Sequence, residues 1–273
     1  MQTVIVTGVS SGVGKSTARL YQETGQYQVF GFARHATAQQ ELAKLGVHLV
    51  DIDLTHPEEI TAAIDWIIQK VGGIDILANI AGMATNGMIE DLPMSEARQQ
   101  FKVNVFGTMQ LVQAVLPIMR QQHAGKIITI TSIVTQLSQP MFGWYSASKV
   151  ALEQLLTTLQ SEVDQFGIDI SYIQPAAIAT AMTKGPKSYV KYSSNSAYAH
   201  LMEIMDQRIR RGQQQLIMPA QVAKLIMKIS NQKNPKLVYR IGRGGDVIAL
   251  INHLFSRSMR QRLTLYSVNQ KMR

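Results

Sequence analysis

Thr3-Val4-Ile5-Val6-Thr7-Gly8-Val9-Ser10-Ser11-Gly12-Val13-Gly14 is the stretch that decides the fold of this chain. Thr3 to Thr7 are all β-branched, a strand composition, and Lys15 to Gly25 has the composition of a helix. Between them Gly8, Gly12 and Gly14 form a Gly-x-x-x-Gly-x-Gly turn. Strand, glycine turn and helix in this order let the backbone approach a pyrophosphate, whose charge meets free N–H groups and the positive helix end. A second reading comes from Gly14-Lys15-Ser16-Thr17, which has the ending of a triphosphate-binding loop. That loop needs glycine at position 9, where Val9 stands, and its variant with an extra lysine needs Lys and Gly where Ser10 and Ser11 stand. A dinucleotide site is favoured, with the triphosphatase and an ordinary turn as alternatives.

Outward from this loop, strands alternate with helices. Further strands are expected at Tyr27 to Ala33, Val47 to Ile52, Ile74 to Ile80, Lys126 to Thr131, Ile168 to Gln174 and Leu237 to Ile241. Helices are expected at Thr37 to Leu45, from Pro57 to about Val71, from Met94 to Gln122 with Pro117 near its end, and from the region of Tyr145 to near Gly167. Strands apolar on both faces, alternating with helices, imply a doubly wound α/β fold, a parallel sheet of about seven strands covered on both sides. Residues 180 to 218 break the pattern, with a Lys-, Ser-, Gly- and Tyr-rich segment, a helix of roughly Ala197 to Arg211, and Pro219. An insertion after a strand's carboxyl end is where substrate lids lie in such sheets. No repeat or linker divides residues 1 to 273, so a single domain is expected.

Composition narrows the function classes. The hydrophobic content is 46%, the charged content 16%, and no apolar run reaches the length of a membrane span. The chain reads as a strand from Thr3 with no charged or long apolar run ahead of it, so secretion is not expected; cysteine is absent, which excludes disulfides and thiol chemistry and agrees with a cytoplasmic location. The six histidines are scattered with no i, i+4 pair, giving a metal site little support. The net charge of +9 lies partly in a tail with Arg257, Arg260, Arg262, Lys271 and Arg273, and no nucleic-acid-binding module accompanies it. A phosphorylated cofactor is another outlet for that charge.

Tyr145-Ser146-Ala147-Ser148-Lys149 sets a phenol and an ammonium on one helix face. A tyrosine working near neutrality needs its phenolate stabilised by about 4 kcal/mol, and a charge at ~4 Å in a medium of effective dielectric ~20 supplies about as much.

With these motifs together, the chain resembles the short-chain dehydrogenase/reductase family over about Thr3 to Thr180. The resemblance implies that Gly8, Ser10, Ser11, Gly12, Val13 and Gly14 form the cofactor loop and that Asp53 and Leu54 contact adenine. Asn79, Ala81 and Gly82 match the motif after strand four, with Ile80 replacing its second asparagine. Asn104, Ser132, Tyr145 and Lys149 match the catalytic residues, while Pro175, Ile178 and Thr180 fall at the nicotinamide, with Ala176 in place of the usual glycine.

The family's chemistry is hydride transfer between a nicotinamide and a carbonyl or alcohol carbon. In it Tyr145 would exchange the proton, Ser132 would hold the substrate oxygen, Lys149 would stabilise the phenolate and bind the ribose, and Asn104 would position a water. The rival is a binding protein of the same fold without turnover, a sensor or scaffold. Met141, Phe142 and Trp144 lie between Ser132 and Tyr145, where the family places substrate, so an apolar substrate is expected, although core packing explains them equally. Lys184, Lys187 and Lys191 could instead attract an acidic group. The second strand ends in Ala33-Arg34-His35 with no acid to hold a ribose 2′-hydroxyl. Arg34, helped by His35, can fork onto a 2′-phosphate, so NADP(H) is expected over NAD(H). A homodimer or homotetramer, paired through the helices of Met94 to Gln122 and Ser146 to Phe166, is implied by the resemblance alone.

Overall fold

The computed structural model describes residues 1–180, 196–212, 216–242 and 244–269. Its centre is a seven-stranded, all-parallel sheet: β1 (Gln2–Thr7), β2 (Tyr27–Ala33), β3 (His48–Asp51), β4 (Ile76–Asn79), β5 (Gly125–Ile130), β6 (Ile168–Pro175) and β7 (Val238–Ile241). The order is β3-β2-β1-β4-β5-β6-β7, so the chain reverses its direction of winding between β1 and β4. A crevice opens at such a point outside the carboxyl ends of the strands.

Along β1, Val4 and Val6 point to one face and Ile5 to the other, as the two-residue period requires. The first face is covered by α1 (Gly12–Glu23), the short α2 (Gln40–Lys44) and a helix, Pro219–Ser230, described below; Ala18, Tyr21, Val222 and Ile226 carry the contact. The second is covered by α3 (Pro57–Val71), by α4 (Met94–Phe101) running through a π-helical turn (Lys102–Gly107) into α5 (Thr108–Gln122), and by α6 (Gly143–Val163). Ile60, Leu111, Val115 and Leu156 are buried there. Both faces are apolar and covered, as the near-continuous hydrophobic strands imply.

The remaining helices are α7 (Ala199–Gly212), α8 (Pro219–Ser230), α9 (Gly245–Leu254) and α10 (Arg257–Asn269). Three departures from the sequence reading have physical causes. The helix expected from Thr37 begins only at Gln40, because the Thr37 amide and hydroxyl bond the Asp51 carboxylate at 2.9 and 2.7 Å and hold that stretch in a turn. The long helix from Met94 contains the π turn. Helix α8, unforeseen, starts at Pro219 and buries Val222, Ile226 and Ile229 on one stripe. The basic tail forms α10 where it is described. Among the described residues no helix is long and apolar enough to cross a membrane, and no group of His, Asp and Glu could hold a metal ion.

Candidate active site

A cavity of about 710 Å³ lies at the carboxyl ends of the strands, beside the reversal between β1 and β4. All six loop residues expected at a cofactor, Gly8, Ser10, Ser11, Gly12, Val13 and Gly14, line it. Gly8 has φ +75°, and a Cβ on Gly14 would lie 2.2 Å from the Gly8 carbonyl oxygen and 2.7 Å from that of Thr7. Only glycine lets the first turn of α1 press so closely onto the end of β1. That turn starts at Ser11 with no side-chain cap and no acidic residue, leaving its amides and positive end facing the cavity. These features fit a pyrophosphate. The Thr7 hydroxyl accepts hydrogen bonds from the Ile80 and Ala81 amides at 2.8 and 2.9 Å, tying the loop to the end of β4. Position 80 makes this bond through its backbone, so isoleucine satisfies it as well as asparagine.

At one end of the cavity are Arg34, Asp53 and Leu54. Partial burial pushes the Asp53 carboxyl up, but hydrogen bonds from Thr55 and the nearby His56 and Arg34 charges outweigh it and hold it below its ordinary value. His35 does not line the cavity; it is exposed, and its charge acts on Asp51. Asn79 is also off the cavity wall, buried in β4, while Ala81 and Gly82 line it.

At the other end Ser132, Tyr145 and Lys149 converge. Ser132, two residues past the end of β5, opens a short 3₁₀ turn, Ile133–Gln136, whose Val134 amide donates to its Oγ at 3.3 Å. Tyr145 and Lys149 lie one turn apart on α6. Burial pushes the Tyr145 phenol above its ordinary value, and a hydrogen bond with Ser132 pulls the other way. Lys149 is 4% exposed; burial lowers its ammonium to about 8, against the pull of Glu153, and its Nζ donates to the Ile130 carbonyl at 3.0 Å. Asn104, fully buried in the π turn, lies beneath the wall. Its Oδ1 accepts from the Met83 amide and its Nδ2 donates to the Met83 carbonyl, both at 2.8 Å, and Nδ2 also donates to the Ser148 hydroxyl at 3.1 Å.

Pro175, Ile178 and Thr180 line the side wall. An alanine is accommodated at 176 because Gly242, at φ +105°, stands opposite; a Cβ there would come 2.8 Å from that of Ala176. The wall is held by a bridge between Ile178 and Ile217, with the Ala179 amide on the Ile217 carbonyl at 2.9 Å.

Of the aromatic and apolar residues expected at substrate, Phe142 lines the cavity, joined by Val134, Leu137, Ile209 and Leu216. Met141 does not; it is buried among Met88, Met202 and Met205 under α7. Trp144 packs edge-on against Phe101, with centroids 6.4 Å apart. Of the expected lid, α7 and Leu216 are described, whereas Lys184, Lys187 and Lys191 lie outside the described residues. The sequence reading missed Met83, whose role is backbone alone and leaves no side-chain signal. It also missed Glu153, although a second buried charge four residues after Lys149 was legible as a helical repeat.

Comparison with known proteins gives one family throughout. The family model described as short chain dehydrogenase matches residues 2–189. The chain is 33% identical to a 3-ketodihydrosphingosine reductase of Bacteroides thetaiotaomicron over 94% of its length and 91% of that protein's. It is 32% identical to an NADPH-dependent 3-dehydrocapnine reductase of Ornithobacterium rhinotracheale, with 77% of each covered. Among solved structures, a short-chain dehydrogenase from Streptomyces avermitilis superposes with a TM-score of 0.83 at 31% identity, over 99% of this chain and 97% of that one.

Proposed function

Because the chain belongs to the short-chain dehydrogenase/reductase family, we propose that it is an NADP(H)-dependent oxidoreductase acting as a reductase on the ketone of an apolar substrate. The observation that carries this reading is the convergence of Ser132, Tyr145 and Lys149 at one end of a cavity whose other parts are a glycine cradle and Arg34.

A bound nicotinamide would supply the hydride. Tyr145 gives its phenolic proton to the substrate oxygen as the carbonyl is reduced. Burial holds the phenol above its ordinary value, so at neutral pH it carries the proton that a general acid needs. Ser132 donates a hydrogen bond to the same oxygen and fixes its distance from Tyr145. Lys149 has three N–H donors, of which one serves Ile130; the others are available to ribose hydroxyls, and its charge favours the phenolate left on Tyr145. Asn104 acts through Met83 and Ser148, holding the floor against α6. At the far end the Arg34 guanidinium pairs with a 2′-phosphate.

The substrate class rests on the apolar wall of Val134, Leu137, Phe142, Ile209 and Leu216 and on the two relatives named as a 3-ketodihydrosphingosine reductase and a 3-dehydrocapnine reductase. We infer a ketone carried on a long alkyl chain. The whole chain is read as one catalytic domain. Pairing of copies is supported by apolar side chains left exposed on the π turn and α6, Phe106 at 60%, Val150 at 47% and Leu155 at 43%. The experiment is a panel of long-chain, cyclic and short charged ketones assayed with NADPH and NADH, with sizing of the protein alongside. The reading expects long-chain ketones with NADPH to lead; short keto acids in first place overturn the substrate class, and no turnover across the panel favours a cofactor-binding protein.

A further inference from the structure

Lys149 and Glu153 are i, i+4 neighbours on α6, and both are buried, at 4% and 9% exposure. A buried carboxylate needs donors on every side. The Gln174 side-chain amide, on β6, donates to both Glu153 oxygens at 3.0 Å. Its orientation is fixed from the other side, because the Arg240 Nε on β7 donates to the Gln174 Oε1 at 3.1 Å, and a guanidinium can only donate. Arg240 therefore turns the Gln174 NH₂ group toward Glu153. The Thr131 and Thr135 hydroxyls lie beside the carboxylate; Thr131 donates to the Ile173 carbonyl at 3.0 Å, and the Gln174 Nε2 also donates to the Thr135 hydroxyl at 3.1 Å. Thr131 immediately precedes Ser132, and the Thr135 hydroxyl donates to the Ser132 carbonyl at 2.9 Å. The chain Arg240–Gln174–Glu153 thus runs from an exposed arginine on the edge strand to the underside of the catalytic residues.

We propose that Glu153 is a positioning residue, the buried counter-ion that keeps Lys149 in its charged form and, through Gln174 and Thr135, holds the turn that carries Ser132. Burial drives the Lys149 ammonium down, and the Glu153 charge, one turn along α6 and not in direct ion-pair contact, opposes this. Burial likewise pushes the Glu153 carboxyl up, while its bonds to Thr131, Gln174 and Thr135 and the Lys149 charge pull it back. The other ionisable groups on the packed elements are Tyr145 and Glu162 on α6, Asp169 and Tyr172 on β6 and Tyr239 and Arg240 on β7, with Glu96, Arg98 and Lys102 nearer solvent on α4 and the π turn. The inference rests on the catalytic role given to Lys149 only for its effect on turnover; the charge state itself is measured without it.

The test follows the side-chain titration of Lys149 by ¹³C NMR in the cofactor-free protein, for wild type, Glu153→Gln and Glu153→Asp. An opposite charge nearby moves a titration by ~1–3 pH units, so in Glu153→Gln Lys149 should titrate about 1 pH unit or more below wild type, with Glu153→Asp closer to wild type. The alkaline fall in kcat, which follows loss of the ammonium as pH rises through its value, should move to lower pH in the same order. If Glu153→Gln does not fold, Arg240→Gln frees Gln174 to turn its oxygen toward the carboxylate and should give a smaller shift of the same sign. A Lys149 titration coinciding with wild type in the folded variant overturns the proposal. A shifted titration with an unmoved kcat profile would keep the counter-ion and refute instead the role given to Lys149.

Discussion

Asn104 and Met83 hold each other by both groups of one amide, the Met83 N–H on Oδ1 and the Nδ2–H on the Met83 carbonyl, each at 2.8 Å. The side chain is fully buried and also reaches Ser148, so its orientation is settled by its surroundings. Asn104→Asp preserves shape but sets a carboxylate oxygen against a carbonyl. Leaving these groups unsatisfied should cost about 1–3 kcal/mol. A denaturation midpoint equal to wild type at pH 7 would show that the clasp contributes nothing.

Tyr145→Phe removes one proton donor and little else. Losing a general acid lowers rate by about 10²–10⁴-fold, and cofactor affinity should survive, since the phenyl ring still fills the wall. Single-turnover reduction followed by NADPH fluorescence separates the two. More than roughly a tenth of wild-type rate would remove Tyr145 from the acid role.

Arg34 is expected to choose between the two nicotinamides. A charge-assisted bond to a 2′-phosphate is worth about 1.5–3 kcal/mol. Arg34→Ala should therefore lower the ratio of kcat/KM for NADPH over NADH by roughly 10-fold to 150-fold. An unchanged ratio, or a wild type that prefers NADH, contradicts the assignment.

Gly14→Ala tests the cradle. Its Cβ would meet main-chain oxygen and carbon of Gly8 at 2.2 and 2.5 Å, which no side-chain motion can relieve. Either α1 moves away from β1 or the variant fails to fold. The expectation is a lower melting temperature together with weakened NADPH binding, and wild-type values for both in a folded protein would be incompatible with this geometry.

The parts of the fold legible in the sequence were those that repeat a short-range rule. Val4, Ile5 and Val6 declare a covered strand, and Gly8, Gly12 and Gly14 a close approach of chain to ligand. Helix α8 was legible too, since Pro219 and the stripe of Val222, Ile226 and Ile229 carry the ordinary signals of a helix start and face, yet it was passed over between an insertion and a strand. Other features depend on partners distant in sequence. Met141 looked like a substrate contact until α7 supplied Met202 and Met205 to bury it, and Thr37 looked helical until Asp51 captured its amide. The orientation of Gln174, read from Arg240, has no local signature at all.

The π turn at Lys102–Gly107 joins two α-helical stretches that would otherwise run in one ladder. A π turn takes more residues per turn than an α turn, so it absorbs one extra residue while α4 and α5 keep nearly the phase of one continuous helix. Asn104 thereby meets Met83 while Leu111, Val115 and Met119 still face the sheet they cover. The number of residues between Phe101 and Thr108 is thus as much a specification of this site as their identity: deleting one of them should restore a continuous α-helix that still covers the sheet but has lost the clasp between Asn104 and Met83.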